Sequence, residues 1–336
     1  MKNPNNLTAF TSIRFGYFLC ILLLTSGVLF AQDYPKKIVK YEILLGPGIK
    51  EADPHYIFTK PIKIRIDAKG NYYVLDIENN RVMKYDQELK FIEEYGRSGE
   101  FSYPVDIDVN LKGNLYVADL TGRRVTIFDE NGKYSRMIAL GQVFEDIHIA
   151  VDKRGYVFVT TTRTDSLITV YSEEGNELFS FGKPNYHENK GVRITWNVAF
   201  LKCDQNNNLW VGFKYKPLIR KYSNDGNLLF ERKLDGPEIY ETEKLEKPVD
   251  EKGRYRQWVY SYDFASDDGV SMYIGFKDYF YKLDPLSGLI VTHYKIEVKN
   301  YNKTFFLTSF SFDPMKKSFF GLSRSDAVLY RLIIPN

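Results

Sequence analysis

Counting back seven residues from Gly70, Gly113 and Gly155 reaches Lys63, Asp106 and His148, so one recurring position carries an ammonium, a carboxylate and an imidazole. The same register in three more divergent segments gives Phe200, Asp263 and Ser309. Convergent polar groups of both charges are what an orienting pocket requires, and His148 with Asp106 and Asp263 has the makings of a general acid or base. The same carboxylates with His148 would suit a hard divalent cation. Against both stands an ion-pair network that merely ties strands together, because such networks gather the same residue types. Zinc needs three or four clustered His, Cys or carboxylate ligands. Of the four histidines, His55, His148, His187 and His293, only His148 falls at the recurring position. No nucleophile motif, phosphate-binding glycine loop or paired-carboxylate spacing is present, and no cofactor is expected.

Two further sets surround this one. Arg81 and Arg124 occupy matching positions after a second strand, with Arg163, Lys214, Lys216 and Lys277 nearby in later segments. Guanidinium groups suit bidentate contacts to carboxylate, sulfate or phosphate. The Asp76 to Arg81 spacing repeats as Asp119 to Arg124, which favours simple bracing of the loop for these two arginines. The third set is aromatic: Tyr103, Trp196, Trp258 and Tyr260 precede or enter first strands, where flat rings would stack on sugar faces or apolar peptide side chains, or else pack between neighbouring sheets. The candidate ligand-binding residues are therefore Lys63, Asp106, His148, Arg163, Trp196, Lys214, Trp258 and Asp263.

What must position them is a repeat. From Pro61 to Gly99 an apolar strand, Ile62 to Asp67, runs through the Lys69-Gly70-Asn71 turn into Tyr72-Tyr73-Val74-Leu75-Asp76, and two more strands follow at Arg81 to Asp86 and Phe91 to Tyr95. Pro104 to Gly141 repeats the plan nearly residue for residue. Aligning the second strands gives anchors at Val74, Val117, Val159, Val211, Ile274 and Phe320, hence six units, with insertions at 183–194 and 236–256. Both insertions precede a first strand and should decorate one face. A lone strand, Lys37 to Gly46, resembles the fourth strand of a unit, whereas the last unit, near Phe305 to Asn336, has three. A ring that leaves no open sheet edge would pair the two.

The proline, the Gly-Asn-Leu-Tyr-Val-Ala-Asp run at Gly113 to Asp119, Arg124-Val125 and the Phe128-Asp129 pair resemble the NHL repeat. The resemblance is strong in the first two units, recognisable in the third (Gly155 to Val159) and fourth (Asn208 to Val211), and thin in the last two. It implies an all-β, six-bladed β-propeller of four-stranded antiparallel blades over residues 36–336, closed by strand 37–46 completing the last blade. Six-bladed proteins of similar look include streptogramin lyase, the peptide α-amidating lyase and the gluconolactonase group, which rely on histidines or metal-binding groups in the channel.

Composition agrees with short packed strands: 16% of residues are aromatic, with 26 Tyr and 24 Phe. A net charge of +3 with signs interspersed gives no reason to expect nucleic acid. Residues 1–31 read as an export signal, with Lys2 and Arg14 before the apolar core Phe15 to Phe30 and Ala31 where cleavage would fall. That core is shorter than the roughly 20 residues needed to span a bilayer, so a periplasmic or extracellular protein without a transmembrane segment after cleavage is expected. Cys203 is then the only thiol of the body and reads as a strand-end packing residue. The expected function is a ligand-binding or protein-interaction scaffold for a peptide, protein or glycan on the face with the insertions. The alternative is a streptogramin lyase-like or lactonase-like lyase or hydrolase using His148, Asp106 and Asp263.

Overall fold

The computed structural model describes residues 35–335 except 48, 50–52, 98, 142–145, 161–164, 241–258, 260–262, 268–270 and 298–306. The expected export signal, Arg163, Trp258, Tyr260 and most of the 236–256 insertion lie outside the described residues. None of the helices among the described residues is long and apolar enough to cross a membrane.

The regular structure of the described residues is almost all strand. It begins with β1 (Lys36–Leu45). The first sheet runs β2 (Pro61–Ile66), β3 (Tyr72–Asp76), β4 (Arg81–Tyr85) and β5 (Phe91–Tyr95). The second runs β6 (Pro104–Val109), β7 (Leu115–Asp119), β8 (Arg124–Phe128) and β9 (Tyr134–Ala139). The third runs β10 (Ile149–Val151), β11 (Val157–Thr160), β12 (Ile168–Tyr171) and β13 (Glu177–Phe181). A short helix, α1 (Lys190–Trp196), precedes the fourth: β14 (Ala199–Cys203), β15 (Leu209–Phe213), β16 (Leu218–Tyr222) and β17 (Leu228–Lys233). Then come β18 (Asp263–Asp267), β19 (Ser271–Phe276), β20 (Tyr279–Leu283) and β21 (Ile290–Ile296), and last β22 (Leu307–Asp313), β23 (Ser318–Ser323) and β24 (Val328–Ile333).

In the four-stranded sheets the first three strands are largely buried and the fourth is not. The second strands β3, β7 and β15 are buried at every residue, whereas the fourth strands β9 and β17 are largely exposed. A strand covered on both faces needs a continuous apolar run, which is why Tyr72-Tyr73-Val74-Leu75 does not alternate. Apolar clusters join each sheet to the next: Tyr73 and Leu75 with Ile107 and Val117, Tyr116 and Ile127 with Ile149 and Val157, and Phe158 and Val170 with Leu201 and Val211. Trp210 packs with Phe264 and Tyr281, and Phe280 with Phe310 and Tyr330. The last cluster returns to the start, placing Phe320 and Leu329 with Leu45, Ile64 and Val74. Four-stranded antiparallel sheets packed in such a circuit are a propeller-like fold.

The inner turns fix the register. Asp67, Asn110, Asp152 and Asp204 each accept the backbone N–H groups two and four residues on, at 2.9–3.0 Å. Each such turn needs one left-handed residue, supplied by Gly70, Gly113 and Gly155 at φ +79°, +88° and +87° and by Asn207 at φ 60°. Asn207 thus stands where a turn glycine would.

In one respect the architecture departs from expectation. Instead of six separate sheets, the described residues form four sheets of four strands and one of eight, ordered β18-β19-β20-β21-β1-β24-β23-β22. β1 pairs antiparallel with β24 from Lys40↔Ile333 to Leu45↔Leu329, as the ring-closing expectation requires. Its first residues also pair parallel with β21, from Lys36↔His293 to Val39↔Ile296. The reason is length: at 10 residues β1 is about twice a common strand and can serve both edges. His293, read from sequence as lying on an outer strand, is for the same reason buried, at 2% exposure.

Candidate functional site

The inner strands bring together the residues that the sequence register aligned. Lys63 pairs with Leu75, Asp106 with Ala118, Phe200 with Gly212, Asp263 with Gly275 and Ser309 with Leu322, one level on five strands. His148 holds that level just before β10, where its carbonyl accepts the Thr160 N–H at 2.9 Å. Register shifts in β2, β6 and β22 fall immediately before Lys63, Asp106 and Ser309, the kind of irregularity that re-aims a side chain.

Lys63 Nζ lies 3.1 Å from Asp106 Oδ1 and 3.2 Å from Asp263 Oδ1. The other Asp106 oxygen lies 3.1 Å from His148 Nδ1, and Ser309 Oγ donates to Asp263 Oδ2 at 2.5 Å. Phe200 differs, since its ring lies over Gly212 in the apolar cluster between sheets. Because side chains two apart on a strand share a face, a second level follows from the first. Arg65 donates to Asp263 at 2.9 Å and stands 3.3 Å from Asp108, which also meets Lys202 at 3.2 Å. Lys63, Arg65, Asp106, Asp108 and Asp263 are all at least 97% buried.

Taken out of water, these groups are tolerable only because each cation has an anionic partner. Burial opposes the charged form of Asp106, but Lys63 and His148 outweigh it and hold the carboxyl below the usual range. Asp263 is likewise held low against burial by Arg65 and Lys63. At one mouth His148 is clamped, Nδ1 against Asp106 and Nε2 3.6 Å from Asp146, while Lys214 Nζ stands 3.8 Å from the same Asp146 oxygen. Asp146 is lowered to about 2: burial pushes it up, but His148 and Lys214 prevail. Burial alone would lower the His148 value, yet Asp146 and the hydrogen bond to Asp106 raise it above 6.5. The carboxylates at both ring nitrogens favour the imidazolium form of His148, which makes it a poor general base.

The pH response follows. A group whose folded pKa is raised stabilises the fold fully below its unfolded value and loses that contribution as pH climbs through the folded value. The stability advantage of the native protein over His148→Gln should therefore shrink as pH rises above 6.5, by at most about 1.4 kcal/mol per pH unit. Urea unfolding of both proteins across that range checks it, and a difference independent of pH would mean a neutral imidazole.

Among the described residues, Arg81 and Arg124 brace loops. Arg81 reaches Asp76 at 3.3 Å, Glu94 at 3.4 Å and the Ile57 carbonyl at 2.6 Å, and Arg124 reaches Asp119 at 3.4 Å and the Glu100 carbonyl at 2.7 Å. Both tie down loops, as the repeated spacing favours. The chain entering each inner strand shares a face with the loop after the second strand, seen where Lys214 N–H donates to Val198 O and Leu120 N–H to Tyr103 O, each at 3.0 Å.

On that face the 183–194 insertion forms a braced platform. Asn185 and Asn197 exchange hydrogen bonds at 2.7 and 3.0 Å, Asn185 Nδ2 donates to the Trp196 carbonyl, and Arg220 holds Lys183 O and Asn185 Oδ1. Trp196, at the end of α1, has the Lys216 ammonium 4.7 Å from its ring centroid and the His187 ring edge-on at 4.7 Å. Tyr186 and Tyr103 project from this face at 75% and 45% exposure.

Sequence reasoning missed Arg65, Asp108, Lys202 and Asp146. The first three carry a signal, the period-two step from the aligned position; Asp146, before β10, carries none. A cation between Asp106 and Asp263 fits poorly, because Lys63 already bridges them. Among the described residues no three His, Cys, Asp or Glu side chains converge as metal ligands.

No protein-family description and no curated protein matches the chain. Among solved structures it is similar to streptogramin B lyase, with a TM-score of 0.59 and 13% identity over 88% of this chain and 98% of that chain. Virginiamycin B lyase from Staphylococcus aureus gives 0.57 and 13%, covering 88% of this chain and 100% of that one. Hydrazine synthase of Kuenenia stuttgartiensis gives 0.53 and 13%, covering 83% and 96%. Likeness at this identity is a likeness of fold, and the fold is a β-propeller.

Proposed function

We propose that the protein is an exported propeller that works as a binding or interaction module, holding a peptide, protein or glycan on the face that carries the 183–194 and 236–256 insertions. The observation that carries this reading is the mutual pairing of the axial charges. Asp106, Asp263 and Lys63 are consumed by one another, whereas the insertion platform offers Tyr186, Trp196 and the nearby Lys214 to a ligand. Aromatic faces beside cations are surfaces on which sugars and peptide side chains stack.

We also read the eight-stranded sheet as two blades, β18–β21 and β22–β24 with β1, making six. Supporting this, β2, β6, β10, β14, β18 and β22 all reach one axial cavity.

The test is an array of glycans and a pull-down from envelope extract with the full chain, repeated with Arg163→Ala, Lys214→Ala and Trp196→Ala combined. Binding should weaken at least tenfold, the effect of losing an aromatic anchor and two cations. Unchanged binding to every ligand found would remove this face from consideration.

A second reading is kept by the likeness to streptogramin B and virginiamycin B lyases, the latter known as a catalytically inactive variant with quinupristin. Here His148 would act as a general acid, with Asp106 at its Nδ1 and Asp263 one step further away across the Lys63 bridge. Conversion of quinupristin by this protein, abolished in His148→Ala, would favour it, as would a stoichiometric divalent ion lost in Asp106→Ala.

A further inference from the structure

Lys63, Lys202, Lys221 and Lys295 are buried or half-buried, and each has a carboxylate within 3.2 Å. Lys216 differs. Half-buried on the insertion face, its ammonium has two partners among the described residues, Asn185 Oδ1 at 3.3 Å and the Trp196 ring. The same Asn185 oxygen takes a second donor, Arg220 Nη2, at 3.0 Å, so two cations share one neutral acceptor. Burial and the Arg220 charge accordingly push the Lys216 value below 10.5, and the pull of Glu231 does not make up for them. The neighbouring carboxylates are engaged: Glu231 accepts from Arg220 Nε at 2.6 Å, and Asp146 stands 3.6 Å from His148 and 3.8 Å from Lys214. Along the two segments that build this face, 183–196 and 214–220, Lys183, Lys190, Arg193, Lys214, Lys216 and Arg220 are set against one acid, Glu188.

The geometry points to a subsite for a carboxylate-bearing sugar, its acid group on Lys216 Nζ and its ring against the platform aromatics Tyr186 and Trp196. This assignment rests on the binding reading above and names the ligand class for that face. The anion supplies the missing counter-charge, using N–H donors of the ammonium that Asn185 does not occupy. A sugar fits better than an acidic peptide, because extended peptides draw affinity from main-chain pairing along an open strand edge. Here the local main chain is already bonded. Lys183 O accepts from Arg220, the Trp196 carbonyl accepts from Asn185, and the Asn185 N–H and carbonyl both bond to Asn197. What the platform offers is flat rings beside a point charge.

The test is calorimetric titration of the full chain with trigalacturonate, with its methyl ester, which keeps the rings and loses the charge, and with hexaglutamate. Trigalacturonate should bind, and the ester should bind at least about tenfold more weakly, the loss of a charge-assisted hydrogen bond. Lys216→Met should weaken the acid by a similar factor and leave the ester unchanged, whereas Trp196→Ala should weaken both. Because Lys216 is a repelled cation, Lys216→Met should not lower the urea midpoint, which separates lost binding from lost folding. A lowered midpoint would make Lys216 a brace and overturn the subsite. So would no binding of trigalacturonate, equal affinity for acid and ester, or acid affinity indifferent to Lys216→Met. Hexaglutamate bound as tightly, with the same dependence on Lys216, would put an acidic peptide in place of the sugar. The broader reading survives any of these while Trp196→Ala still weakens a ligand, and it fails only on the combined variant described above.

Discussion

Replacing Asp263 with alanine should lower the unfolding free energy by roughly 3–5 kcal/mol, because it strands buried cations. Asp263 is fully buried, lies 3.2 Å from Lys63, accepts from Arg65 at 2.9 and 3.2 Å and takes the Ser309 hydroxyl and the Phe264 N–H. Without it Lys63 keeps Asp106, but Arg65 is left with Asp108, toward which its Nε has no well-formed hydrogen bond. Asp263→Asn, which keeps the shape and part of the bonding, should cost less. Urea midpoints at unchanged m separate the two variants from native. Since the folded carboxyl is held below 3.8, its contribution is present above that value and the deficit of Asp263→Ala should persist from neutral pH to about pH 4. A loss under about 1 kcal/mol would mean that the network is solvated and nearly neutral in energy.

Removing residues 36–45 should have the other large effect. It deletes Val39 and Leu45, each at most 1% exposed, and bares the edges of β21 and β24 together. Bared edges pair with other chains. Light scattering after size exclusion should find larger oligomers or aggregate than the intact chain gives, and a peptide of residues 36–45 added in trans should reverse part of that shift. A monomeric, cooperatively folded truncated protein would show that β1 is not needed to hold the last strands to the first sheet.

Much of the inner ring was legible because the turn chemistry is regular. Asp67 or its counterpart, followed three residues later by a left-handed residue, sets a count that transfers between units. It transfers even to the fourth, where Asn207 replaces glycine and the count lands on Phe200. The count followed one position per strand, so the level of Arg65, Asp108 and Lys202 stayed hidden although alternation implies it. The double pairing of β1 was not legible, since two partners for one strand require edge geometry that local pattern does not carry. Nor could the sequence say that Lys63, Asp106 and Asp263 would spend their charge on one another. Pairing distances are tertiary facts, and the same residue types would line an open pocket.

The clasp between β1 and β24 joins Lys40 to Ile333 across nearly the whole described chain. On a ribosome, residues near 40 emerge long before those near 333 exist, so the early ribbon must wait, unsheathed, through most of synthesis. Pairing over so great a sequence separation is also slow for entropic reasons. Maturation of this protein should therefore be timed by its final clasping step, and holdase chaperones that shield the waiting segment should raise its yield.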